Sequence, residues 1–186
     1  MLDRIIPTSL FRGHWKGLSD YRGTTPRPDK LSRLLVVGVP LAAGVLMLLN
    51  RGCLSAPGAL LSAVALFSGG LLASFGQLST LRLKLTDRAG DNQFSERIDR
   101  DYLDETAAHL LVAAYSAAVS AALLIMAMSF GADAAGRIGG VWAAVITTVT
   151  TYVFVVFIIA LPRLYVAYTR INKVRRELSG TASTKL

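Results

Sequence analysis

The sequence predicts an all-α, polytopic membrane protein with four transmembrane helices. Hydrophobic residues make up 53% of the 186 residues, and charged residues only 17%. Four long stretches contain no Asp, Glu, Lys or Arg, and the charges are concentrated around and between them. Because a soluble domain of this size needs a polar exterior, this distribution indicates a bilayer as the solvent.

The uncharged stretches run over 34–49, 58–78, 106–130 and 141–161. A helix rises 1.5 Å per residue, so about 20 residues are needed to cross a hydrocarbon core of roughly 30 Å. Three stretches satisfy this requirement directly. The first one is short, and it reaches spanning length only if Leu31 and Asn50 lie at the two interfaces.

Basic residues predict the orientation of the chain. Segments 1–33 and 81–105 and the tail from residue 162 carry seven, five and six Lys or Arg, whereas connections 50–57 and 131–140 carry one each. Since basic loops stay on the cytoplasmic side, both termini and the central loop are expected in the cytoplasm, with the protein in the plasma (inner) membrane. The same bias explains the net charge of +8, so the lipid bilayer, and not nucleic acid, is the expected partner.

The chain divides into three expected regions. These are a basic cytoplasmic segment (1–32), a four-helix transmembrane domain (33–165) and a cytoplasmic amphipathic helix with a tail (166–186). No cleavable signal peptide is expected, because a polar segment of about 30 residues precedes the first span. The only cysteine, Cys53, is expected in an outer loop.

Two cytoplasmic features outside the spans have helical spacing. Leu10, Phe11, Trp15 and Leu18 predict a short interfacial helix with its aromatic side chains inward, the alternative being an irregular basic tail. Helices two to four are expected to continue into a short cytoplasmic helical stalk. Helix two is expected to end near residue 88, a turn to occupy 89–92, the hairpin to span 81–105, and helix four to continue along an apolar stripe at 164–178. The hairpin and the segment 163–178 are the expected docking surface for a cytoplasmic protein partner.

Helix two has a face of small residues opposite a face of large ones. The small face consists of Gly58, Ser62, Ala65, Gly69, Ala73 and Gly76. Because small residues allow two helix backbones to approach closely in a membrane, this is the expected packing face. The opposite face, with Leu71 and Leu78, is expected to meet lipid. Intrachain packing is the favoured interpretation of the small face, and contact with a second copy is the alternative.

Helices three and four carry polar stripes. The candidate residues for a polar path or a packing face are Asp101, Glu105, His109, Ser116, Ser120, Thr147 and Thr151. A row of carboxylate, imidazole and hydroxyl groups is typical of a proton or ion path. The structural alternative is favoured, because acidic residues suit a helix N-terminus and hydroxyls bond back to their own helix.

Catalytic and metal chemistry is not expected. The sequence has no paired nucleophile and base, no phosphate-binding glycine loop and no Cys and His cluster. Glu105 and His109 alone fall short of a zinc site. No enzyme activity, catalytic residue, metal or cofactor is therefore expected.

Three functions remain open from the sequence. The first is an oligomeric pore or membrane-perturbing effector, with a homo-oligomer expected because helix faces of small residues allow copies of the chain to associate. The second is a membrane anchor or scaffold that recruits a cytoplasmic partner, because nearly all charge lies on one side. The third is a small transporter, which the absence of buried charge disfavours.

Overall fold

The computed structural model describes residues 8–20, 27–87 and 93–171. Within these ranges the chain forms five α-helices and four two-residue strands. The helices are α1 (Thr8–Gly17), α2 (Lys30–Leu49), α3 (Pro57–Asp87), α4 (Gln93–Phe130) and α5 (Gly140–Ile171). The strands are β1 (Ser19–Asp20), β2 (Arg27–Pro28), β3 (Cys53–Leu54) and β4 (Ile138–Gly139). The expected all-α fold is thus confirmed, and α2 to α5 are each long and apolar enough to cross a membrane.

Helix α2 is longer than its uncharged stretch. Its 20 residues begin directly after Asp29, whose side chain accepts hydrogen bonds from the backbone N–H groups of Leu31 (3.1 Å) and Ser32 (3.3 Å). This N-cap satisfies two of the donors that a helix leaves unpaired at its start. The extra turn that it starts provides the spanning length that 34–49 lacks.

The other long helices also exceed their uncharged stretches. Helices α3, α4 and α5 contain 31, 38 and 32 residues. Arg82 of α3 forms an ion pair of 2.7 Å with Asp104 of α4, so the two helices remain in contact near one end of the bundle. Helix α5 continues through Pro162. The expected turn at 89–92 and the part of the apolar stripe beyond 171 lie outside the described residues.

The first two long helices, α2 and α3, pack mainly on the last two, α5 and α4. Helix α2 packs against α5, α3 against α4, and α4 against α5. The main core cluster contains Leu71 and Leu78 of α3 together with Ala113 and Ala117 of α4. The alanines of α4 allow α3 to approach closely, and the leucines of α3 fill the space between the two helices.

The expected intrachain packing face of α3 is therefore corrected. Leu71 and Leu78 are each only 2% exposed, whereas Gly58, Ser62, Ala65, Gly69, Ala73 and Gly76 are all exposed. A Cβ added at any of the three glycines would meet no described atom within 4 Å. The physical reason is that α4 already supplies the small residues at this contact. Packing of the small face on a second chain remains a prediction.

Helix α2 crosses α5 at a glycine. A Cβ built on Gly44 would overlap the Thr148 hydroxyl and lie 3.0 Å from the Ala144 carbonyl oxygen. That hydroxyl is itself held by a 2.8 Å hydrogen bond to the Ala144 carbonyl. The contact between the two helices therefore requires a residue without a side chain at this position.

The two short connections meet at the other end of the bundle. Strand β3, next to α2, pairs antiparallel with β4, next to α5. Cys53 lies in β3 and is exposed. The connection before β4 is closed by Asp133, whose carboxylate accepts from the backbone N–H groups of Ala135 and Arg137. These hydrogen bonds to Arg137, to its backbone first, hold the pKa of Asp133 below its usual range.

Candidate functional site

The amphipathic segment near the start of the chain folds as α1 and packs on α4. His14 of this helix and Leu18 directly after it are buried, whereas Trp15 is 44% exposed. The expectation that the aromatic side chains of α1 face the interior of a bilayer stays a prediction. Leu10, His14 and Leu18 recur every four residues, so they lie on one side of a helix, and Trp15 lies about 100° away from His14.

Glycine allows α1 to approach α4 closely. A Cβ on Gly17 would lie 2.6 Å from Glu105 Cγ and 3.0 Å from His109 Cε1. Any side chain at this position would therefore push α1 away from α4. The resulting contact brings residues of α1 next to polar residues of α4 and α5.

A buried polar cluster forms where these helices meet. We call it the polar cluster, and its members are His14, Glu105, His109, Tyr152 and Arg163. The Nδ1 atoms of His14 and His109 lie 2.7 Å apart, and both residues are almost fully buried. The two rings pack edge to face, with 4.6 Å between their centroids.

Arg163 joins the polar cluster from α5. Its Nη1 lies within hydrogen-bond distance of three acceptors, which share its two hydrogens: the Gly17 carbonyl oxygen (2.8 Å), His109 Nε2 (2.7 Å) and the Glu105 carboxylate. One guanidinium thus connects α1, α4 and α5. The carboxylate balances its charge in a part-buried position, which lowers the cost of removing both groups from water.

The hydrogen-bond donors assign the tautomers of both histidines. A guanidinium has no acceptor, so His109 Nε2 must accept, and the proton of the neutral ring is on Nδ1. His109 Nδ1–H then donates to His14 Nδ1, which leaves the His14 proton on Nε2. That nitrogen lies 3.4 Å from the Tyr152 hydroxyl oxygen, which is in position to accept. The hydrogen bonds therefore run from Arg163 to His109, from His109 to His14, and from His14 to the Tyr152 hydroxyl oxygen.

This order favours a structural role for the polar cluster. A proton relay needs groups that release a proton at one end and take one up at the other. The first group here is Arg163, and a guanidinium stays protonated at any ordinary pH. The polar cluster is therefore better suited to holding α1 on the bundle than to conducting protons. Burial, with the nearby positive charge of Arg163, lowers the pKa of His14 to about 4.

A second polar contact lies deeper between α4 and α5. Ser120 and Thr150 are buried, and their hydroxyl oxygens lie 2.8 Å apart. Ser116, one turn earlier on α4, is also buried. Thr147 and Thr151 are only half-buried. The structure thus brings Glu105, His109, Ser116 and Ser120 to one side of α4, where the described contacts are with α1 and α5; the side chain of Asp101 lies outside the described residues.

Sequence reasoning missed His14, Tyr152, Thr150 and Arg163. For His14 a signal is present, because it shares the four-residue spacing of Leu10 and Leu18. For Arg163 the sequence offers only its place next to Pro162, where a cation also suits a membrane boundary. Among the described residues no group of three or more His, Cys, Asp and Glu is arranged to hold a metal ion. A comparison with known protein families, with characterised proteins and with solved structures finds no match for this chain.

Proposed function

We propose that the protein is a multi-pass membrane protein that assembles as a homo-oligomer through α3 and acts as a pore or membrane-perturbing effector. The observation that carries the proposal is the uncovered small-residue face of α3. Four apolar helices support insertion into a bilayer, and the excess of basic residues outside them supports cytoplasmic termini in an inner membrane.

The small-residue face of α3 is smooth and its polar groups are satisfied. The hydroxyls of Ser62 and Thr80 donate to the carbonyl oxygens of Gly58 (3.1 Å) and Gly76 (3.2 Å), one turn earlier. Because these hydroxyls already have partners on their own helix, the face can approach another helix without losing hydrogen bonds. It can equally face water in the centre of an assembly, where hydroxyls and glycines leave room.

Helix α3 is a better candidate for the lining of a path than α4. Ser120 is bonded to Thr150, and His109 is bonded to Arg163 and His14. A path along α4 would require these intrachain contacts to separate. A path along α3 requires only that copies of the chain meet, since the small-residue face touches no other described helix.

The proposal is tested by measuring assembly and ion flux on the same preparation. Purified protein is reconstituted into vesicles, its oligomeric state is measured by mass, and leakage of an entrapped ion-sensitive dye is followed. Gly69→Leu should weaken assembly and reduce flux. The matched control is Ala42→Leu, which adds a similar side chain at an exposed position of α2. A monomeric wild-type protein, or a verified oligomer without flux, would overturn the pore.

Membrane topology is tested with the only cysteine. In intact cells Cys53, which is exposed in β3, should react with an impermeant thiol reagent. In a Cys53→Ser background, a cysteine at Ser9 on α1 should react only after the membrane is opened. Labelling of Ser9→Cys in intact cells would reverse the proposed orientation.

The second candidate function is a membrane anchor that recruits a cytoplasmic partner. The observation in its favour is that eighteen of the twenty basic residues lie in segments 1–33, 81–105 and 162–186. This function predicts an oligomer, or a monomer, without any flux. Capture of a partner that is lost when the basic residues of 81–105 are neutralised would support it.

A further inference from the structure

An apolar groove of about 400 Å³ opens between α1, α2, α4 and α5. Helices α2 and α4 both pack on α5, and the space between them is covered at one end by Phe11 of α1. The groove walls include Val37 and Leu41 of α2, Val119 of α4 and Val149 of α5. Its volume falls within the range of pockets that hold small ligands, roughly 300–1,000 Å³.

The groove lies within the apolar helices rather than beside them. All of its lining residues except Phe11 belong to the candidate membrane spans of α2, α4 and α5. In a bilayer, its depth below the start of α2 is about 9–16 Å, since residues 36–41 follow Lys30 at 1.5 Å per residue. An occupant of this groove would therefore reach it from the hydrocarbon phase, and it would be apolar along this length.

A cationic rim stands at the end of the groove nearest the start of α2. The Arg33 guanidinium lies over the Trp15 ring, 5.1 Å from its centroid, and Nη2 donates to the Trp15 carbonyl oxygen at 3.3 Å. Arg33 precedes Val37 by one turn on α2, and Trp15 follows Phe11 by one turn on α1. Because Val37 and Phe11 both line the groove, the Arg33–Trp15 pair lies at the end of the groove nearest the start of α2.

The cations nearest the rim form no ion pair with a described carboxylate. Among the described residues, no carboxylate lies within ion-pair distance of Arg12, Lys30 or Arg33. The nearest acid in sequence, Asp29, instead accepts hydrogen bonds from the first turn of α2. Furthermore, the Nε atom of Arg33 is buried and has no hydrogen-bond partner in the part of the chain that the structure describes. A buried donor of this kind is costly unless an acceptor reaches it.

We propose that this groove binds an anionic phospholipid, with one acyl chain between α2 and α4 and the headgroup phosphate at Arg33, Lys30 and Arg12. The inference rests on insertion of the bundle into a membrane, as in the proposed function, but not on a pore. The groove selects hydrocarbon by its walls and its depth. The rim selects negative charge, because phosphate oxygens accept bidentate hydrogen bonds from a guanidinium. Trp15 lies at the level where indole rings prefer to sit, between the headgroups and the chains.

The intrinsic fluorescence of the protein tests this site. The chain has two tryptophans, Trp15 at the rim and Trp142 at the start of α5. In a Trp142→Phe background, Trp15 is the only reporter. The protein is reconstituted into phosphatidylcholine vesicles that contain a small fraction of phosphatidylglycerol, and either one lipid or the other carries brominated acyl chains, which quench nearby indoles.

Brominated phosphatidylglycerol should quench Trp15 more strongly than brominated phosphatidylcholine, and the effect should saturate at one lipid per chain. Arg33→Gln should reduce the preference about fivefold, the usual contribution of one cation near an anionic surface. Arg33→Lys, which keeps the charge but loses the bidentate hydrogen bonds, should retain part of the preference and lie between wild type and Arg33→Gln. Val37→Phe, which narrows the groove and keeps every charge, should weaken quenching by both lipids. Arg51→Gln, which removes an exposed cation at the opposite end of α2, is the matched control and should change nothing.

A second measurement uses the unmodified protein, so its result does not depend on whether the variants fold. Native mass spectrometry of the unmodified protein in detergent should show one retained phosphatidylglycerol and no comparable retention of phosphatidylcholine. Inorganic phosphate at millimolar concentration should not displace the lipid, because it lacks the acyl chain. Equal quenching by both lipids in protein that floats with the vesicles would overturn the site and leave membrane insertion intact. Protein that does not float at all would overturn the proposed function as well.

Discussion

The Nδ1 atoms of His14 and His109 lie 2.7 Å apart, although 95 residues separate them in the chain. At this distance one ring donates and the other accepts, so the contact exists only while at least one of the imidazoles is unprotonated at Nδ1. With Arg163 donating to the other side of His109, a second positive charge in the same place is disfavoured. The attachment of α1 to the bundle is thereby connected to the protonation of His14.

The first prediction concerns the removal of this contact. His14→Ala should leave the Nδ1–H of His109 buried without an acceptor, and it should lower the stability of the folded protein by about 1–3 kcal/mol. Thermal unfolding in detergent measures the change. Lys16→Ala, at an exposed position of the same helix, is the control and should have little effect. Equal effects of the two substitutions would show that the polar cluster does not hold α1.

The second prediction is that α1 detaches in acid. The pKa of His14 in the docked state is lowered to about 4, with burial as the main cause and Arg163 as the second. Above about pH 6.5 the His14 imidazole is neutral whether α1 is docked or detached, so the free energy of docking has its full value. Between pH 6.5 and pH 4 only the detached state binds a proton, so docking weakens progressively as the pH falls.

Trp15 fluorescence in a Trp142→Phe background should therefore change between pH 6.5 and pH 4. Besides His109, the groups near His14 are Glu105 on α4, and Tyr152 and Arg163 on α5. His14→Gln removes one of the two imidazoles but keeps an acceptor for His109, so it should make the profile flatter. A wild-type signal that is constant over this range would contradict the assignment.

A third prediction uses two glycines of α2 as a matched pair. Gly44→Ala places a Cβ against Thr148 and the Ala144 carbonyl, so it should separate α2 from α5 and destabilise the fold. Gly38→Ala meets only Leu34 at 3.7 Å or more, so it should be neutral or stabilise the helix by up to about 1 kcal/mol. Unfolding temperatures of the two variants check this order, and a reversed order would show that the crossing point lies elsewhere.

The fourth prediction measures the hydrogen bond between Ser120 and Thr150. In a double-mutant cycle with Ser120→Ala and Thr150→Val, the coupling energy should be about 0.6 kcal/mol, the usual value for such bonds between membrane helices. A hydroxyl pair that lines a water-filled path would exchange its bond with water. A coupling energy near zero, combined with an ion flux that Ser120→Asp changes, would indicate that α4, and not α3, lines the path.

The spans could be read from the sequence because charge is excluded from them so completely. The start of α2 was also within reach, since Asp29 is a typical N-cap residue ahead of an apolar run. The face that α3 buries was not. Its small residues and its leucines are equally visible in the sequence, and the outcome depends on the alanines that α4 presents to Leu71 and Leu78. That choice is a property of two surfaces together.

The polar cluster was out of reach for a related reason. Arg163 contacts residues that lie 54, 58 and 146 positions away in the chain. No local spacing contains this information. The sequence shows a histidine on an apolar stripe and an acid and a histidine one turn apart, and only the fold brings a guanidinium between them.

The crossed packing of the four long helices has a consequence for how the chain is made. The main packing partner of α2 is α5 and that of α3 is α4, so the first two long helices to be synthesised have few contacts with each other among the described residues. On the proposed insertion into a bilayer, these two helices would remain separate in lipid until the second pair is made. The pairing of β3 with β4 then links the connection between α2 and α3 to the connection between α4 and α5. A chain truncated before Gly140 would therefore leave α2 without its main packing partner.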